Sequence, residues 1–153
     1  MPAQRVRRFL LEHGIPYTTD THEVAYTAKE TATVERVPAQ QVAKAVMLKA
    51  DDRLVMAVLP GHRHVDFDKA AAALGVTTCR LATEGEFAAL FPDCEEGAEP
   101  PFGALYDVAM VVDSQLQGAG ITFSGGSHST SISMALKDYL SLTKATVLDL
   151  ARA

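Results

Sequence analysis

The chain has 153 residues, 48% of them hydrophobic and 22% charged, a balance typical of one globular domain with its own core. Its net charge is −5, and no Lys or Arg occurs between Arg80 and Lys137, which argues against a protein that follows the phosphates of double-stranded DNA. No apolar run approaches the roughly 20 residues of a membrane span, and the N-terminus is too weakly apolar for a signal peptide, so we expect a cytoplasmic protein without a membrane partner.

The first half of the chain is predicted to contain two helices, a β-hairpin and a third helix. Apolar residues at helical spacing predict a helix over 4–13, and Gly14 ends it. Thr27 and Glu30 have the spacing of a capping box, which predicts the start of a second helix. The elements predicted to follow are a short helical turn at 38–42, strands at 42–50 and 53–61 around the turn Asp51-Asp52, and a helix between the caps Asp66 and Gly75.

The second half is predicted to alternate short strands with short helices. Two consecutive prolines require that GAEPPFG, residues 97–103, form an extended loop. The predicted strands are 77–82, 107–113, 120–124 and 130–134, and the predicted helices are 83–91, 135–142 and 145–153. Because no repeat, low-complexity segment or linker interrupts the chain, we predict a single domain over residues 1–153 with mixed α and β structure.

The glycine-rich turn FSGGSHSTSISM, residues 123–134, is the first candidate for chemistry. It lacks the G-x-S-x-G order of an esterase nucleophile elbow and the lysine of a phosphate-binding P-loop. Gly125 and Gly126 allow positive φ and a close approach of the backbone to a ligand, so that N–H groups there could bind an anion or a developing oxyanion. An ordinary hairpin turn accounts for the same residues.

Lys44 is the second candidate, because its charge interrupts an apolar strand face. Side chains two residues apart on a strand share a face, which sets Lys44 among Val42, Val46 and Leu48. Such a lysine either places its ammonium in a pocket or extends it past the end of the strand into water. Both interpretations fit its position near the start of the strand.

The loop GAEPPFG is the third candidate. Its prolines make it stiff, which lowers the entropy cost of holding a pocket wall in place. Phe102 either closes a small apolar pocket or covers the core as an ordinary loop aromatic.

Cysteine and histidine positions give no reason to expect a metal, a cofactor or a disulfide scaffold. Cys79 and Cys94 lack C-x-x-C spacing. His62 and His64 form an H-x-H pair, but no third ligand accompanies them, so a solvated loop face is the better interpretation.

Taken in order, the three candidate segments resemble a known family. VAKAVMLKA, GAEPPFG and SGGSHSTSI, with YTAKE and LPGHRHVDFDKAA, make the chain similar to the YbaK/ProX family of aminoacyl-tRNA deacylases, over roughly Thr21 to Leu142. The same domain occurs inside bacterial prolyl-tRNA synthetases as their editing module. The resemblance implies an α+β fold with a compact mixed, partly barrel-like β-sheet wrapped by helices.

The resemblance also implies which residues form the site. Lys44 matches the essential lysine of the family, and Gly126 and His128 match its G-x-H turn, so these three are the implied catalytic residues. Ala45 stands where some relatives carry a threonine, which leaves the substrate preference open. The implied substrate-binding residues are Tyr26, Thr27, Gly97, Pro101, Phe102, Gly103, Gly125 and Ser127.

The implied function is trans-editing, the hydrolysis of the ester that joins a wrong amino acid to the 3′-terminal ribose of a tRNA. Small amino acids such as alanine or cysteine on the tRNA for proline are the expected substrates, and the tRNA acceptor (CCA) end and an aminoacyl-tRNA synthetase are the expected partners. Backbone amides around 125–127 would hold the oxyanion, while Phe102 would limit the pocket. A non-catalytic tRNA- or synthetase-binding module and a hydrolase of other small esters or amides remain the alternatives.

Overall fold

The computed structural model describes residues 4–153 of the chain. The prediction of one domain over residues 1–153 includes residues 1–3, which lie outside this range. The helices are α1 (Gln4–Glu12), α2 (Ala28–Glu35), α3 (Phe67–Leu74), α4 (Glu84–Phe87) and α5 (Leu136–Thr143). The strands are β1 (Tyr17–Thr21), β2 (Ala43–Ala50), β3 (Arg53–Pro60), β4 (His64–Val65), β5 (Cys79–Leu81), β6 (Ala109–Asp113), β7 (Gly120–Ser124), β8 (Thr130–Ala135), β9 (Thr146–Leu148) and β10 (Ala151–Arg152). Short 3-10 turns span Ala39–Gln41, Ala88–Leu90 and Gly103–Tyr106.

The larger sheet has five strands in the order β5-β2-β3-β6-β9. The predicted hairpin forms its centre, with β2 antiparallel to β3, and β6 and β9 continue the sheet in parallel. Strand β3 is buried on both faces from Val55 onward. Met56 and Val58 point into one core cluster, whereas Val55, Ala57 and Leu59 point into another, as the two-residue period of a strand requires.

A second, antiparallel sheet has the order β1-β8-β7, and β4 pairs with β10 in a short ribbon. The bridge between Val42 and Thr122 brings β7 beside the start of β2. The predicted α+β class with mixed strand directions is confirmed, and within residues 4–153 the sheets stay open rather than closing into a barrel. The start of β2 and the end of β7 therefore lie side by side, next to α2.

Locally encoded helix ends are confirmed. Thr27 and Glu30 form the predicted capping box at the start of α2. The Asp66 carboxylate accepts the N–H groups at the start of α3, and Gly75 ends that helix with φ 69°. The helix predicted over 83–91 is shorter, since α4 gives way to a 3-10 turn after Phe87.

The helix predicted over 145–153 is wrong, because that segment forms β9 and β10. Val147 pairs with Val112 in the parallel ladder of the larger sheet. The buried carboxylate of Asp113 accepts the N–H of Leu150 at 2.8 Å, which fixes the chain between the two strands. Strand β1, which the sequence pattern did not indicate, pairs along its whole length with β8.

Candidate functional site

Lys44 is a half-buried cation that has no anionic partner among residues 4–153. Its side chain leaves the start of β2, and its Nζ donates to the carbonyl oxygen of Gly61 at 3.5 Å. No carboxylate of residues 4–153 forms an ion pair with it. Burial lowers the pKa of the Lys44 ammonium, because the charged form loses hydration. A buried charge without a counterion is costly, so this ammonium is placed to bind an anionic or polar group that comes from outside the chain.

A small cavity of about 50 Å³ lies beside this ammonium. Its walls come from the start of α2, the start of β2, the loop before the two prolines and the end of β7. The wall includes Tyr26, Thr27, Lys44, Gly97, Glu99 and Ser124. Four of these, Tyr26, Thr27, Lys44 and Gly97, are residues that the sequence predicted for the site.

The start of α2 adds positive potential to the same cavity. The Thr27 hydroxyl accepts the N–H of Glu30, and the Glu30 carboxylate accepts the N–H groups of Tyr26 and Thr27. Within residues 4–153, the N–H groups of Ala28 and Lys29 have no acceptor, as expected for the first turn of a helix. Ala28 lines the cavity, so the positive end of the helix dipole and the Lys44 ammonium act on the same space.

The glycine-rich turn is tied to the loop that precedes the prolines. Gly126 donates to the carbonyl of Ala98 at 3.1 Å, and Glu95 donates to the carbonyl of Gly126 at 2.8 Å. The Glu95 carboxylate accepts the N–H of His128 at 2.8 Å, and His128 Nε2 lies 2.6 Å from the carbonyl oxygen of Glu96. A carbonyl only accepts, so Nε2 carries the proton and Nδ1 is the acceptor of the neutral ring.

These contacts correct the prediction for the oxyanion-binding amides. Gly125 donates its N–H to Thr130 across the hairpin, and the Gly126 N–H is taken by Ala98. Of the three amides proposed, only that of Ser127 has no acceptor within the described part of the chain. Gly126 does adopt positive φ, at 94°, but Gly125 does not.

Gly97 needs its glycine for a geometric reason. Its φ of 82° lies in the left-handed region, and a Cβ there would lie 3.4 Å from Cε1 of His128. The His128 ring also contacts Tyr26, with ring centroids 4.8 Å apart. Tyr26 is 69% exposed, so one face of an aromatic ring is presented to solvent at the rim of the cavity.

The second half of the loop lies in the core instead. Phe102 is 2% exposed and packs edge-on against Phe9, Phe123 and Tyr139. The Tyr139 hydroxyl donates to the carbonyl of Pro101 at 2.7 Å. The sequence-based prediction that Phe102 limits the pocket is therefore wrong for the Lys44 cavity. Together with its neighbour Gly103 it lines a separate, mainly apolar cavity of about 380 Å³.

Glu99 is the one charged residue of the wall, within the described part of the chain, that the sequence analysis missed. It is 9% exposed, and its Oε1 accepts the N–H of Gly97 at 3.3 Å. Burial raises the pKa of the Glu99 carboxyl, and the charge of Glu96 adds to this effect. The available signal was an acidic residue between Ala98 and Pro100, inside the candidate loop GAEPPFG.

The family model of the aminoacyl-tRNA editing domain matches residues 22–142 of the chain. The chain belongs to this family. Membership assigns the chain an editing role on aminoacyl-tRNA. The matched range contains all the segments that carry the resemblance. No curated protein matches the sequence.

Two solved structures similar to the editing domain share its fold over nearly their whole length. The crystal structure of hypothetical protein APE2540 is 19% identical with a TM-score of 0.86, and the match covers 97% of this chain and 100% of that one. The crystal structure of a "putative trans-editing enzyme for prolyl tRNA synthetase" is 24% identical with a TM-score of 0.83, covering 99% of this chain and 97% of that one. Among residues 4–153, no helix has the length and apolarity that crossing a bilayer requires.

Proposed function

We propose that this editing domain is a trans-acting aminoacyl-tRNA deacylase, which hydrolyses the ester between a small amino acid and the 3′-terminal ribose of a tRNA. The observation that carries the proposal is the unpaired, half-buried Lys44 ammonium in the wall of a closed-in cavity, beside the start of α2. Family membership supports the substrate class, and the name of the second structural neighbour supports the tRNA for proline.

The acceptor end fits the charges and the aromatic ring around the cavity. Lys44 and the free N–H groups at the start of α2 would hold the terminal phosphate or the ester carbonyl. Tyr26 would stack on the terminal adenine, an interaction that contributes about 1–3 kcal/mol per base. These contacts need only the single-stranded end of the tRNA, which agrees with an acidic protein that makes few phosphate contacts.

Hydrolysis requires no covalent intermediate, because an aminoacyl ester is already activated. Water attacks the carbonyl carbon, and the negative charge that develops on the carbonyl oxygen needs a preorganised donor. We assign this role to the N–H of Ser127. The amides of Gly125 and Gly126 cannot fill it, because they already donate to Thr130 and Ala98. His128 would hold the turn in place through its contacts with Glu95 and Glu96.

The volume of the cavity favours small side chains. A space of about 50 Å³ holds a few water molecules, at about 10–15 Å³ for each. A methyl or sulfanylmethyl side chain, as in alanine or cysteine, is the size of substituent that we propose for such a space. Alanine and cysteine on the tRNA for proline are therefore the substrates that we propose, with the synthetase that makes these errors as a partner.

The test is the release of amino acid from the tRNA for proline charged with alanine, cysteine, proline or a larger aliphatic amino acid. Wild type should hydrolyse the alanyl and cysteinyl esters, and Lys44→Ala should lower kcat/KM by about 10²-fold. Lys49→Ala is the matched control, since Lys49 lies on the same strand but pairs with Glu86 at 3.9 Å. If folded wild type binds the charged tRNA and hydrolyses none of the panel, the alternative of a non-catalytic binding module replaces this proposal.

A further inference from the structure

The wall of the Lys44 cavity contains one carboxylate, that of Glu99, within the described residues. The chemistry proposed above gives it no role. Glu99 is nine-tenths buried, and no Lys, Arg or His of residues 4–153 forms an ion pair with it. Its Oε1 accepts the N–H of Gly97, which aligns the carboxylate but supplies no positive charge.

Lys44 and Glu99 line the same cavity and still do not form an ion pair with each other. A direct pair would neutralise both charges and close the cavity. Instead, each of the two charged groups is left for a ligand, and neither is fully solvated. A ligand that satisfies both must present a cation to Glu99 and a polar or anionic group to Lys44.

An aminoacyl ester has this arrangement of charges. Its α-ammonium is one carbon away from the ester carbonyl, and the terminal phosphate lies beyond the ribose. With the carbonyl or the phosphate at Lys44, the α-ammonium is the only cation that such a substrate can present. Burial and Glu96 disfavour the charged form of the Glu99 carboxyl in the free protein by raising its pKa, and a bound ammonium offsets that effect.

A metal ion is a poorer ligand for this carboxylate. Glu84 and Glu96 line a neighbouring cavity of about 60 Å³ that Glu99 also borders. However, no three His, Cys, Asp or Glu side chains among residues 4–153 are gathered closely enough to hold an ion. Among the described residues, the side that Glu99 shares with Lys44 has no further carboxylate, so an organic cation with a nearby polar group fits it better.

We propose that Glu99 binds the α-ammonium group of the aminoacyl ester, and that the site therefore selects esters with a free, positively charged α-amino group. The inference rests on the function proposed above and specifies its substrate class. Esters of α-hydroxy acids and of N-acylated amino acids would be poor substrates, so an aminoacyl-tRNA that has been N-acylated would escape hydrolysis.

Lactyl-tRNA tests this directly, because it differs from alanyl-tRNA only by a hydroxyl in place of the ammonium and has nearly the same size. Each rate is divided by the uncatalysed rate of the same ester, which removes the difference in intrinsic reactivity. We expect wild type to favour alanyl-tRNA by about 10- to 100-fold in kcat/KM, the range for a hydrogen bond to a charged group.

Glu99→Gln should lower kcat/KM far more for alanyl-tRNA than for lactyl-tRNA, so the ratio falls toward one. Glu12→Gln is the matched control, since it removes an exposed carboxylate on α1 that lines neither cavity and should keep the wild-type ratio. Equal hydrolysis of both esters by wild type would overturn the inference without needing any variant. An equal loss on both esters in Glu99→Gln would also overturn it, as a purely structural role. If wild type hydrolyses neither ester, the proposed function itself fails.

Discussion

The two halves of the loop 97–103 have opposite surroundings, although they are continuous in sequence. Gly97 and Glu99 line the small cavity beside Lys44, whereas Phe102 is enclosed by aromatic rings of the core. The larger cavity, at about 380 Å³, lies beside the second half and has mainly apolar walls. Unpaired buried charge distinguishes the candidate site, and cavity volume does not. The second half is the anchor that lets the first half hold its position.

Phe102→Ala should have the largest effect on stability. Removing a ring that contacts Phe9, Phe123 and Tyr139 leaves a void, and we expect the free energy of unfolding to fall by about 3–5 kcal/mol. Urea unfolding followed by circular dichroism measures this. Phe102→Leu should keep the loop anchored and retain kcat/KM. A loss below about 1 kcal/mol for Phe102→Ala would mean that the second half of the loop is not an anchor.

Gly97→Ala should act mainly on activity. A Cβ at φ 82° costs about 1–2 kcal/mol, and it would lie in van der Waals contact with the His128 ring. We expect kcat/KM to fall about tenfold, as measured on alanyl-tRNA. Gly75→Ala is the matched control, because Gly75 also has positive φ, at 69°, but no atom lies within 4 Å of its added Cβ. If both variants lose activity equally, general strain and not the site explains the result.

Glu99→Gln should have the smallest effect on stability, and it should be stabilising. The pKa of Glu99 is raised in the folded protein, so the carboxyl favours folding below its unfolded pKa, and this contribution is lost as pH rises through the folded value. The free energy of unfolding of the variant should therefore be about 1 kcal/mol higher than that of wild type at pH 7. The difference should vanish near pH 4. A variant that is less stable than wild type at pH 7 would contradict the claim that burial of the Glu99 charge destabilises the fold.

Sequence patterns predicted those features that neighbouring residues encode. The capping box of Thr27 and Glu30 and the Gly75 helix end depend on contacts within one turn, so they could be read directly. The C-terminal segment could not, because its strands form through partners such as Val112 that lie more than 30 residues earlier. Strand β9 has only three residues, which is too short for an apolar pattern to distinguish a strand from a helix.

The same limit applies to the candidate site. The position of Lys44 on an apolar strand face can be seen in the sequence alone. The environment of Glu99 is set by contacts between the loop and the turn at Gly126, which composition does not reveal. Likewise, the hydrogen bonds of Gly125 and Gly126 depend on Thr130 and Ala98, and only the fold shows that these amides are already occupied.

The most direct test of the account is to see which cavity a substrate analogue occupies. Alanine joined by an amide to 3′-amino-3′-deoxyadenosine 5′-phosphate cannot be hydrolysed as an ester, and its binding can be followed by backbone amide chemical shifts. We expect large shifts at Thr27, Lys44 and Gly97, which line the small cavity, and at Ser127, the proposed oxyanion donor. We expect little change around Leu105 and Ala145 beside the apolar cavity. Shifts confined to the apolar cavity, with Lys44 and Gly97 unchanged, would contradict the assignment of the site.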